Sequence, residues 1–525
     1  MSKTHTNAVQ LKEVLAKFKP VVLSLDSNKL SADIKEAIPH IKKAMDVINR
    51  IYLKQQDETL PELYLKTMKS HDATLKEFFQ LFNGPWCTLE NYASVMPDVE
   101  NRKIGCAFYP EELSKSDFDA YVSKLPKDQQ ESFKDSYTVI RSSKNPKLPY
   151  EAIPYHKYYK TELKELASHL NKAEKIVKNQ TLKTFLKDRA ASLLSGNYRD
   201  TDSSWVKMTD SPLELVIGPF EVYDDNLLGI KASYESMLLI VDKEKADALK
   251  IIEQNINRFA EAFPVPFESK TAFGGLAPIT VVHEIYTTGE ASAGIMASAF
   301  NLPNDPWVRK NVGWKQVMIY NIMQAKFENC TRRIAEKLVK GSDHVKFESY
   351  FHTVLLHEVS HGLGPAYRKN GDEVAKSLGA HYTKIEEAKA DIGALFLLLK
   401  FGGQCGLPHF EHDVLLNSFL AGLFRSIRFG LHEAHGAANL IQFNWFLENG
   451  LISQEKDGRF ASNPTHLVQV VDQLLLKLCE LEAKATPDET KAFLDRYAMP
   501  TPVIEKAIHS LSNIPIDIRV TWPTL

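Results

Sequence analysis

The sequence predicts an α+β fold, mainly α, arranged in two lobes. Long stretches carry apolar residues every three or four positions, the spacing of one helical face. A central block is instead β-branched and aromatic, cut by glycine and proline, as strands are. The chain has 525 residues, too many for one small core; at about 150 residues per domain, two to four domains or lobes are expected.

Helical periodicity marks 31–55, 160–195, 243–263, 320–340, 383–400, 413–449 and 464–485. The stretch from Ser142 to Pro149, followed by Pro154, reads as the clearest linker. Val216–Tyr223, Met237–Val241, Ile279–Tyr286 and Ser298–Leu302 read as strands, with Pro264, Pro266, Gly274 and Gly275 punctuating the junction. These strands predict one modest sheet or barrel. No 20–50-residue repeat, which would signal a solenoid, is visible.

Composition narrows the function classes. A hydrophobic share of 44% and a charged share of 25% are those of an ordinary globular protein. A net charge of −2 provides no electrostatic footprint for nucleic acid or an anionic membrane, so neither is expected as a partner. The segment MSKTHTNAVQLKEVLAKFKP lacks the apolar core of a secretory signal. The greasiest run, Ile392–Leu399, falls far short of the roughly 20 residues that span a bilayer. Cys87, Cys106, Cys330, Cys405 and Cys479 are scattered, with no CxxC spacing. They suit a reducing compartment, and a cytoplasmic location is expected.

His357-Glu358-Val359-Ser360-His361 carries the chemistry. Histidines four apart on a helix project about 40° from one another, so both rings can hold one cation. The glutamate between them then stands beside the open coordination position, where it can take a proton from water. Gly362, Gly364 and Pro365 end that helix. On the next, Glu387 is placed to be the third ligand and Asp391, one turn on, to accept a ligand histidine's other N–H. Asp391 could instead be a surface partner on its own helix. Glu386 has two readings as well: a capping box with Thr383, or a second carboxylate behind the metal. Eight of the 17 histidines fall between His352 and His435, which marks the site region. His409 and His412 follow Pro408 in a loop that should face solvent. In His432-Glu433-Ala434-His435 the histidines are three apart, a poorer match to the ligand spacing; one of them can serve as a catalytic imidazole outside the metal's ligands.

HEVSHGLGP followed by EEAKAD resembles the dipeptidyl peptidase III family of zinc metallopeptidases, and most of all the branch that accompanies Nudix hydrolase domains in plants; no Nudix box is visible here. The resemblance runs from about Gly84-Pro85-Trp86 to the 440s and includes Gly218–Tyr223, Asn301–Asp305 and Ala434-His435. It implies one Zn2+ on His357, His361 and Glu387, with Glu358 as general base. It implies Tyr223 and His435 as donors to the oxyanion, and Glu221, Asn301 and Asn304 as holders of an oligopeptide's amino end.

The implied fold has a helical zinc lobe and a second lobe with a small β-barrel, with a cleft between them. The implied boundaries are 1–235 for helices and first barrel strands, 236–275 for a helical crossover, 276–320 for substrate-binding strands, and 321–525 for the zinc lobe. The implied activity is removal of dipeptides from the amino end of peptides. A zinc-retaining peptide-binding protein, or a hydrolase of a non-peptide amide or ester, is the alternative. Two departures stand out: the zinc motif has five residues where better-known members have six, and Asn439 stands where many have arginine.

Overall fold

The structure is a computed structural model that describes residues 8–24, 30–145, 148–208, 210–265, 279–430 and 434–523. Of the described residues, 58% are helical. The chain divides into two compact units, Met1–Asp242 with Pro278–Ile322 and Arg519–Leu525, and Lys243–Ala277 with Met323–Ile518.

Unit 1 is built on a long helix, α1 (Ala32–Gln56), whose buried residues include Ile34, Ile38, Ile41, Met45, Ile48 and Tyr52. Their three- and four-residue spacing makes one apolar face. Pro39 lies inside this helix and removes one backbone donor, an interruption that apolar periodicity does not register. α1 packs along α2 (Lys160–Ile176), which packs on α3 (Gln180–Ser195). The 160–195 stretch is thus two helices, broken at Val177–Asn179.

A five-stranded sheet, β1 (Leu213–Pro219), β2 (Tyr234–Val241), β3 (Ile279–Gly289), β4 (Ala299–Leu302) and β5 (Lys315–Ile319), packs on α1 through β2 and β3, with β1 touching it. Their order is β1-β2-β3-β5-β4, antiparallel except for the β3–β5 pair. Among the described residues this sheet is open: β1 and β4 do not pair, so the small barrel that was expected is not closed. β1 is buried at every position and is apolar except for Glu214, whose carboxylate is paired with Lys315. Glu235 on β2 sits opposite Gly218 and Gly289. Gly289 has φ +73°, and a Cβ there would lie 2.3 Å from Tyr234 O.

The expected linker around Ser142–Pro149 is instead part of a hairpin: Thr138–Asn145 pairs with Leu148–Pro154 inside unit 1, and Pro146 and Lys147 lie outside the described residues. Pro266, Gly274, Gly275, His432 and Glu433 also lie outside them.

Unit 2 is a helical cluster: α4 (Phe347–Ser360), α5 (Tyr382–Phe401), α6 (His412–Ile427), α7 (Ala434–Glu448) and α8 (Leu467–Lys484). α5 packs against α4, α7 and α8, and is buried on nearly every side. Gly393 permits its close approach to α4, since a Cβ there would lie 2.8 Å from Ser360 Oγ. The expected 413–449 helix is two, α6 and α7. Among the described residues no helix is long and apolar enough to cross a membrane.

Candidate metal centre

α4 carries His357 and Glu358 near its C-terminal end, and His361 is its capping residue. The His361 N–H still reaches His357 O at 3.2 Å, so the two rings keep helical i,i+4 geometry across the helix end. Their Nε2 atoms lie 3.1 Å apart. α5 brings Glu387 Oε2 to 3.2 Å from His357 Nε2 and 3.8 Å from His361 Nε2.

These three atoms suit one cation. A tetrahedral ion with ligands at about 2.0–2.2 Å has ligand–ligand edges of roughly 3.3–3.6 Å, close to the distances found. Glu387 Oε2 is buried and receives no well-aligned hydrogen bond, although three imidazole nitrogens surround it. Among the described residues this is the one such triad of metal-ligand groups.

The other face of each ring is fixed by a carboxylate. His357 Nδ1 lies 2.7 Å from Asp391 Oδ1, and His361 Nδ1 lies 2.9 Å from Glu386 Oε1. Both bonds direct the Nε2 lone pairs toward Glu387 and raise ligand basicity. Burial pushes the Asp391 carboxyl up, but the His357 ring and the Gln442 amide outweigh it and hold it below its usual range. Of the two readings of Glu386, the structure has the buried one: α5 begins at Tyr382 with no side-chain cap, and Thr383 is exposed. Asp391, likewise, is turned inward and is no surface partner.

His435, at the start of α7, is half-exposed and places Nδ1 3.2 Å from Glu387 Oε2. Glu358 and His435 line a cavity of about 150 Å³, together with Tyr350, Val354, Phe419 and Asn439. His409 is exposed, as its loop setting predicts.

Four residues near the centre were not singled out from the sequence. Lys389 Nζ lies 3.0 Å from Glu386, and Tyr382 OH lies 3.2 Å from it. Glu482 on α8 lies 3.7 Å from Lys389. Gln442 donates to Asp391 at 2.7 Å. The available signal was a polar residue at three- or four-residue spacing inside an otherwise apolar helix.

The remaining predicted residues lie in unit 1. Glu221 and Tyr223 follow the end of β1, Asn301 is on β4, and Asn304 donates to Phe220 O at 3.2 Å. Glu221 takes hydrogen bonds from Asn304 and Tyr223, while burial pushes its carboxyl up. The Glu221 charge, then burial, raises the Tyr223 phenol. Nearby, Glu290 and Glu235 are a buried carboxyl pair. Burial, then Asp224 and Glu221, pushes Glu290 up to about 8.

Comparison with known proteins gives this geometry a context. Residues 111–378 match the model of Peptidase family M49. The chain is 28% identical to Nudix hydrolase 3 of Arabidopsis thaliana over 99% of its own length and 75% of that protein's. A shorter match, 27% identical, covers 40% of the chain and 29% of dipeptidyl peptidase 3 of Nematostella vectensis. Among solved structures, DPP III from Caldithrix abyssi superposes with a TM-score of 0.89 at 31% identity, covering 97% of this chain and 98% of that one. DPP III from Corallococcus sp. strain EGB gives 0.78 at 31% identity, covering 98% and 97%. The chain belongs to peptidase family M49.

Proposed function

We propose that this protein is a zinc-dependent peptidase that removes dipeptides from the amino end of oligopeptides. The observation that carries the reading is the convergence of His357 Nε2, His361 Nε2 and Glu387 Oε2 beside Glu358. When bound, zinc supplies an acidified water and a Lewis acid for the scissile carbonyl. Glu358 accepts a proton as the water attacks and delivers it to the leaving amine. His435 and Tyr223 are the donors for the negative charge that grows on the carbonyl oxygen. Glu221, Asn301 and Asn304 hold the substrate's ammonium and backbone; an anion for the ammonium is what limits cutting to the amino end. DPP III as the name of both solved relatives supports dipeptides as the product. The five free cysteines agree with a cytoplasmic location.

The test is a zinc-loaded protein assayed on dipeptidyl-naphthylamides, with a chelator control. Chelator-sensitive release of the dye is expected. Stoichiometric zinc without hydrolysis of any peptide would overturn the reading.

A further inference from the structure

Helix α7 has one expected contribution to the site, His435. It makes another that the sequence pattern did not assign. Asn439 and Gln442 lie one and two turns further along α7, and both are buried. Their side-chain amides converge on a single atom: Asn439 Nδ2 lies 2.8 Å from Asp391 Oδ2, and Gln442 Nε2 lies 2.7 Å from it. A longer contact of 3.5 Å joins Asn439 Nδ2 to Gln442 Oε1. The other oxygen, Asp391 Oδ1, takes the His357 Nδ1 proton at 2.7 Å.

We propose that Asn439 and Gln442 are positioning residues for His357, a two-amide clamp on Asp391 by which α7 sets how tightly the metal is held. The inference rests on the reading of His357, His361 and Glu387 as the metal site. Its physical basis is how a buried carboxylate must be satisfied. With one oxygen on His357, the other would be left buried and unpaired, a destabilising state, unless donors reach it. Two neutral amides fill it and fix the carboxylate plane, and through it the tautomer and ring plane of His357.

Neutral donors have a second consequence. A guanidinium in the same place would pair with Asp391 and draw its charge away from the imidazole. The amides leave the full charge facing His357 Nδ1, which keeps Nε2 a strong donor. His361 is backed differently, because Lys389 presses an ammonium against its carboxylate partner, Glu386. The clamp makes His357 the stronger of the two histidine ligands. Asn439 is therefore employed in the site, and the missing arginine at this position is a change of partner rather than an empty place.

The experiment measures zinc affinity by chelator competition, and the visible spectrum of the cobalt-substituted protein, for the full chain and for Asn439→Leu, Gln442→Met and the double variant. Single variants are expected to weaken zinc about tenfold and the double variant up to about 100-fold, the range for lost outer partners of a metal ligand. The cobalt bands should shift as the His357 ring reorients. The melting temperature of the metal-free protein monitors plain packing. Should the apolar variants not fold, Asn439→Asp keeps the volume but replaces the donor with an acceptor, and is expected to weaken zinc as well. Wild-type affinity and an unaltered cobalt spectrum in folded variants would overturn the clamp alone. A wild-type protein that takes up no zinc would overturn the metal site and the clamp with it.

Discussion

Lys389 Nζ lies 3.0 Å from Glu386 Oε2, and the same carboxylate holds His361 Nδ1 at 2.9 Å, so an ammonium stands two contacts behind a ring of the candidate metal centre. Lys389 is only 2% exposed. Burial opposes charge on all three groups of this cluster. Lys389 nonetheless draws Glu386 well below the usual carboxylate range, and Glu386 in turn holds Lys389 above its own. Burial pushes the Glu482 carboxyl the other way, well above its usual range. The cluster thus packs one ammonium against two carboxyl groups whose shifts run in opposite directions. Lys389→Met should cost about 3–5 kcal/mol by stranding a buried carboxylate. It should also weaken zinc by letting His361 swing. Urea unfolding of the metal-free protein reads the first effect and chelator competition the second.

The ligand and the base should separate cleanly. Glu387→Ala removes the oxygen that no other group satisfies and should abolish stoichiometric zinc. Glu358→Gln keeps both histidines and Glu387 and should retain zinc, while peptide turnover falls by at least about a thousandfold, the upper part of the range for a lost proton-transfer group. Metal analysis of the two purified variants beside their rates is the check. Zinc lost from Glu358→Gln, or kept by Glu387→Ala, would contradict the assignment.

Unit 1 should weaken as pH rises. Glu290 keeps its proton up to about 8 in the folded chain, whereas an unfolded glutamate loses it near 4.3. Between those values the folded state binds more protons than the unfolded state, so stability falls with increasing pH and levels off above the folded value. Glu290→Gln should flatten that slope and gain roughly 1–3 kcal/mol at pH 8, an order-of-magnitude figure from the shift. Urea midpoints at pH 5 and pH 8 read it directly. A variant that keeps the full wild-type slope would place the titration elsewhere.

What was legible in the sequence was what local geometry dictates. Two histidines four apart on a helix, or Glu387 and Asp391 one turn apart, share a face whatever the rest of the chain does. Which readings of Glu386 and Asp391 hold depends on the packing of α5 against α4, and that is decided by Gly393 and by residues far off in sequence. Lys389 looks like a surface charge until α8 covers it. Asn439 reads as a missing arginine until Asp391 is seen to lie beside it. In the fold, the serine and proline content of 142–149 suggested a linker, but the flanking strands pair. β5 was missed because it is short and begins with Lys315, a lysine buried by its ion pair with Glu214 at 2.7 Å. The barrel was expected from strand number and family likeness; closure needs a pairing between the end strands that pattern alone does not specify.

The most direct test of the central claim is mass spectrometry of the products released from a mixed peptide library by the zinc-loaded protein, with Glu358→Gln as the control. Dipeptides from the amino end, absent with the variant and with chelator, are the predicted result. Internal fragments, or the same products from Glu358→Gln, would contradict it.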